Sequence, residues 1–185
     1  MYHSFFIKLV SVFVCLLFIQ DEPVISWSED YKLTWQDFNA RPENIGSAVA
    51  TTASGITFGF SIKESNGKVV DFTTNVKAHF YPNHSWYKKD YATNHVLVHE
   101  QLHFDITELH ARKFRQRIKS LPRSNDIKQK LKNLHKTIEK ELAEMQNLYD
   151  SQTNFSREKE NQLKWQLHIE SELQKLSNFK ESNYP

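Results

Sequence analysis

His99, Glu100 and His103 stand in the string His99-Glu100-Gln101-Leu102-His103, a His-Glu-x-x-His pattern. On an α-helix, side chains four apart share a face, so the two imidazoles converge on one divalent ion while Glu100 lies beside them. Zinc suits such a pair when a third nitrogen or oxygen donor completes the site and a fourth position is left for water. The ion acidifies that water, and Glu100 is placed to take its proton as general base and to return it to a leaving amine. The chemistry expected is zinc-dependent hydrolysis of an amide, with a peptide or protein as substrate. The competing account is a helix surface whose polar residues match the pattern without function.

Spacing alone leaves the third ligand open. At about 100° per residue, His95 and His110 project onto the same face as His99 and His103. His110 is nevertheless seven residues beyond His103, about 10 Å along the axis, and no glycine bends the chain between them. His95 fails in the same way. His79, His84, His135 and His168 read as solvent-facing or hydrogen-bonded residues. Asp105 and Glu108 lie off the metal-facing side, where each either orients an imidazole or an adjoining loop, or simply pairs with a cation. Arg112, four residues after Glu108, favours pairing for Glu108. Arg112, Lys113, Arg115, Arg117 and Lys119 close the helix, where cations complement the negative end of its dipole.

These residues need a helix to hold them and a sheet to carry the helix. Ile56, Phe58, Phe60 and Ile62 alternate with polar or small residues, the period of a strand with one buried face. After an Asn66-Gly67 turn, Val69, Val70, Thr74, Val76, Ala78 and Phe80 predict its antiparallel partner, ended by Tyr81-Pro82-Asn83. Segments 33–38 and 48–53 predict a short helix or strand each, with a loop over 42–46. Beyond Asp90 the period becomes helical: one helix from Thr93 to Ile118, stopped at Leu121-Pro122, a second carrying the stripe Ile127 to Met145, and a third from Ser156 to Leu176. Strands first and helices after predict an α+β fold, one domain over 21–185 with a strand-rich half and a helical half.

Composition narrows the function classes. Twenty-four Lys+Arg against 22 Asp+Glu leave a net charge of +2, too balanced for a nucleic-acid binder. Residues 1–20 hold the run Leu9 to Ile19, apolar but for Ser11, after Lys8, which reads as a signal peptide or N-terminal anchor and places the protein in an extracytoplasmic location, secreted or periplasmic. Membrane association is expected only through that segment. The single cysteine, Cys15, falls inside it, so disulfides and thiolate metal ligands are not expected in a processed chain.

The segment from Leu33-Thr34-Trp35-Gln36-Asp37-Phe38 through Thr52-Ala53-Ser54-Gly55-Ile56 and Ser85-Trp86 to His99-Glu100-Gln101-Leu102-His103-Phe104-Asp105-Ile106 resembles an uncharacterised bacterial envelope family labelled predicted secreted zinc-dependent proteases. The resemblance implies a zincin-like domain outside the cytoplasm, with His99 and His103 on zinc and Glu100 catalytic. In the segment Tyr149 to Ser156 the family is expected to carry Thr-x-His-Gly, yet Phe155 and Ser156 stand at the His and Gly positions, and Leu102 replaces a usual Gly. If that histidine is the family's third ligand, another residue must substitute here, or the chain is a degenerate member acting as a binding or scaffold module. The reading adopted is a zinc metallopeptidase, with an extended substrate pairing to a sheet edge near Phe80.

Overall fold

A computed structural model describes residues 22–43 and 48–181; the expected leader and residues 44–46 of the expected loop lie outside the described residues. The chain runs through strands β1 (Ile25–Ser26), β2 (Ala50–Thr51), β3 (Ser54–Ser65), β4 (Lys68–Phe80) and β5 (Trp86–Tyr87), then helices α1 (Asn94–Lys119), α2 (Ile127–Thr153) and α3 (Lys159–Lys175). The architecture is α+β, with antiparallel strands preceding the helices. A short 3-10 turn, Trp35–Asp37, forms in the first of the two weakly patterned segments, and β2 forms in the second.

β3 and β4 make the long hairpin expected from the period-two pattern, paired from Ser54↔Phe80 to Ser65↔Lys68 with one register shift between Lys63 and Glu64. Asn66 and Gly67 both take positive φ, 50° and 72°, the two-residue turn whose twist matches that of the strands it joins. Phe58 packs against Phe114 of α1 and His135 of α2, with ring centroids 4.8 Å and 5.2 Å apart. At Phe80 itself β4 is not an edge, and the open edge of the hairpin is β3. Phe80 pairs with Ser54 on one side and Ile25 on the other, because the two-residue strand β1 covers β4 and makes it the central strand, in the order β1-β4-β3. β2 and β5 form a separate two-stranded sheet.

α1 is the axle of the molecule. Thr93 caps it, its Oγ1 accepting the Val96 N–H at 3.2 Å. One flank packs on the sheet through Phe104, Ala111 and Phe114, and another meets α2 and α3 through Leu102, Ile106 and Leu109. A helix enclosed on several sides also buries charge. Arg112 is fully buried, its Nε donating to Glu108 Oε1 at 2.8 Å and its Nη1 to the Leu173 carbonyl at 2.7 Å. Arg115 donates to Glu108 and to the carbonyls of Val76 and Phe179. The expected helix-closing cluster is therefore split, because Arg112 and Arg115 tie α1 to β4 and to the end of the chain's helical half. The third helix starts at Lys159 rather than Ser156, since Asn154, Phe155 and Ser156 all take positive φ (47°, 52° and 70°) and turn the chain out of α2.

Candidate metal centre

His99 and His103 lie one turn apart on α1 and aim the same nitrogen at the last turn of α2. His99 Nε2 and His103 Nε2 are 3.2 Å apart, and Asp150 Oδ1 lies 3.1 Å from the first and 3.0 Å from the second. Donors around a tetrahedral zinc, with bonds of about 2.0–2.1 Å, stand roughly 3.3 Å from one another. The three atoms thus have the spacing of one face of such a site, and the cluster His99, His103 and Asp150 can hold a metal ion.

Hydrogen bonding explains why the triangle calls for a cation. The His103 Nδ1–H donates to Gln146 Oε1, and the Gln146 amide is oriented by donating from Nε2 to the His103 carbonyl at 2.9 Å and to Thr107 Oγ1 at 3.3 Å. With the proton fixed on Nδ1, neutral His103 turns a lone pair toward the Asp150 carboxylate. Only a shared positive charge, a proton or a metal, relieves that contact. Burial, the largest influence on Asp150, favours its neutral acid, but the hydrogen bonds and charges of His103 and His99 outweigh it and hold the carboxyl well below the usual range. On His103 burial works against the imidazolium, and the Asp150 hydrogen bond, the Glu100 and Asp150 charges and Gln146 together raise it above its ordinary value.

His99 is oriented differently. Its ring stacks on Tyr149, centroids 4.5 Å apart at 23°, and its buried Nδ1 has no hydrogen-bond partner among the described residues. Burial first, then the charges of Glu100, Asp150 and Asp105, push the Tyr149 phenol above its ordinary value, and its hydroxyl donates to the His99 carbonyl at 3.4 Å. Glu100 is buried at 4% exposure, and among the described residues its carboxylate has no hydrogen-bond or ion-pair partner. It lines the same cleft as the triad, about 190 Å³ in volume, facing Ala50 and Thr52 on one wall and Phe155 and Arg157 on the other. Thr52 fastens that wall to the motif, its Oγ1 donating to the Glu100 carbonyl at 3.2 Å.

The structure thus brings His99, Glu100 and His103 together as their spacing predicts. The remaining candidates go elsewhere. His95 Nε2 donates to the Ser156 carbonyl at 2.6 Å, and His110 Nδ1 to the Ile106 carbonyl at 2.9 Å. His79 contacts Ser26 Oγ, His84 pairs with Glu22, His135 stacks on Phe114, and His168 lies edge-on to Trp165. Glu108 pairs with Arg112 as expected. Asp105 holds an adjoining segment, accepting the Trp27 Nε1–H at 2.7 Å.

Asp150 is the candidate ligand that sequence reasoning missed. It stands five residues before Phe155, the expected histidine position; Phe155 lines the cleft with its side chain exposed and is not among the three residues that could hold an ion. The available signal was positional: Gln146 and Asp150, four apart, flank the stripe that α2 buries through Ile138 and Tyr149. Ser156, at the expected glycine, keeps a φ of 70° that glycine adopts more readily. A family model described as "Bacterial protein of unknown function (DUF922)" matches residues 32–157, a span that includes His99, Glu100, His103 and Asp150. No curated protein and no solved structure matches the chain.

Proposed function

This chain belongs to the bacterial DUF922 family of unknown function, and we propose that it is a zinc-dependent metallopeptidase acting outside the cytoplasm. His99, His103 and Asp150 would hold the ion, and Glu100 is the general base. The observation that carries the reading is the conjunction of three donor atoms within 3.2 Å of one another with an unpartnered carboxylate in the same cleft. A bound zinc supplies an acidified water and polarises the substrate carbonyl. Glu100 accepts the proton of the attacking water and hands it to the leaving amine, two transfers that need a carboxylate not already tied to a cation.

A peptide has a natural place to lie. The Lys88 N–H donates to the Val49 carbonyl at 2.8 Å and Ala50 stands opposite Tyr87, so in the antiparallel ladder the N–H and C=O of Ala50 point away from β5. Ala50 and Thr51 line the metal cleft. An extended substrate paired to this edge passes the triad with its backbone satisfied. The extracytoplasmic setting is supported by the apolar run Leu9 to Ile19.

Zinc content and hydrolysis of a peptide library test the reading together. Purified protein should hold close to one zinc per chain and cleave peptides, and Glu100→Gln should keep the zinc while losing turnover. Stoichiometric zinc without cleavage would leave a metal-holding scaffold, and failure to take up zinc on reconstitution would remove both readings.

A further inference from the structure

Gln101 and Leu102, the two unassigned positions of the motif, face away from the triad. They open onto a cleft of about 700 Å³ between α1, α3 and the segment 27–33, a volume that suits small organic ligands. Its floor is apolar, formed by the buried Leu33, Leu102 and Ile169. The donors beside Asp105 are already engaged. Trp27 Nε1 and Gln101 Nε2 both donate to Asp105 Oδ1, at 2.7 Å and 2.9 Å, while Gln101 Oε1 accepts the Leu33 N–H at 2.8 Å.

The carboxylates of the cleft keep acceptor capacity. Asp105 Oδ2 has no partner among the described residues, although its carboxylate is held in place by two donors. Glu170, on the α3 rim, has no hydrogen-bond or ion-pair partner among the described residues either. The Trp27 ring carries the buried Arg112 guanidinium 5.1 Å from its centroid and the exposed Lys32 ammonium 5.9 Å from it, while the lining carboxylates Glu29, Asp105 and Glu170 outnumber the one lining ammonium, Lys32. Fixed carboxylate acceptors above an apolar floor select a ligand that brings its own donors and a positive charge.

We propose that the α1–α3 cleft is a second binding site, for a small organic amine whose apolar body rests on Leu33, Leu102 and Ile169 and whose ammonium pairs with Asp105. The inference is independent of the metal reading, since none of the three candidate ligands lines this cleft.

Calorimetric titration of the full chain, with metal chelated, against phenylpropylamine, phenylpropanol and phenylpropionate tests it. The amine should bind at least tenfold more tightly than the other two. Asp105→Asn keeps an acceptor for Trp27 but removes the charge, and should lower amine affinity about tenfold. Glu170→Gln, at an exposed position, should lower it by a smaller factor and serves if the first variant does not fold. Val98→Trp, at a rim residue 38% exposed, should block all three compounds. Equal affinities, preference for the carboxylate, no binding of the amine, or amine affinity unchanged by both charge-removing variants would overturn the proposal.

Discussion

Asp150 serves two imidazoles with one oxygen, 3.0 Å and 3.1 Å away, and that economy makes it the most sensitive position of the centre. Removing it leaves two buried nitrogens with no anionic donor, so Asp150→Ala should weaken zinc binding by about a hundredfold or more in a competitive chelator titration, while Phe155→Ala should leave zinc affinity unchanged. The pair of variants separates Asp150 from the position at which the family resemblance leads one to expect a histidine. Gln146 acts one step further out. Losing its acceptor frees the His103 tautomer, and Gln146→Leu should reduce zinc affinity by roughly 10–100-fold with the fold intact. At this scale the sequence made His99, Glu100 and His103 legible because helical spacing alone puts them on one side. Asp150 was not legible, since no local rule tells which carboxylate of a helix 50 residues away will meet them.

Elements carry the next level. The alternation in Ile56–Ile62 and the Asn66-Gly67 turn predict the hairpin, because a one-faced strand and a two-residue positive-φ turn leave few alternatives. β1 has two residues, too few for any period, so the covering of Phe80 could not be foreseen, and the edge proposed for a substrate is that of Ala50. Polarity misled in a similar way along α1. Arg112 and Arg115 look like a solvated helix end, yet tertiary packing encloses them and Glu108, whose side chain is 3% exposed. Without Arg112, Glu108 keeps only Arg115 at 3.0 Å, the Leu173 carbonyl loses its donor and a fully buried side chain leaves a cavity. Arg112→Ala should therefore destabilise the protein by about 3–5 kcal/mol in urea unfolding, a far larger effect than Lys140→Ala, whose exposed partner Glu144 lies 3.7 Å away.

For the molecule as a whole, the same enclosure of α1 makes stability depend on pH through a residue outside the metal centre. His110 is 1% exposed and donates one ring nitrogen to the Ile106 carbonyl. Burial, partly offset by that bond, pushes its pKa from an ordinary 6.5 down to about 4. A histidine kept neutral in the native state stabilises the fold above its unfolded pKa, and the contribution is lost as pH falls from 6.5 toward 4, where the unfolded chain takes up a proton that the native chain refuses. The shift corresponds to a loss on the order of 3 kcal/mol across that window. His103 and Asp150 also titrate with folding, so the comparison must be made against a variant that keeps both. His110→Gln retains a side-chain donor for the Ile106 carbonyl but cannot ionise. In urea melts of chelator-treated protein, the stability difference between wild type and His110→Gln should narrow by about 3 kcal/mol between pH 7 and pH 4. Parallel stability curves for the two proteins would mean that His110 is protonated inside the folded molecule, and that the core around α1 admits water.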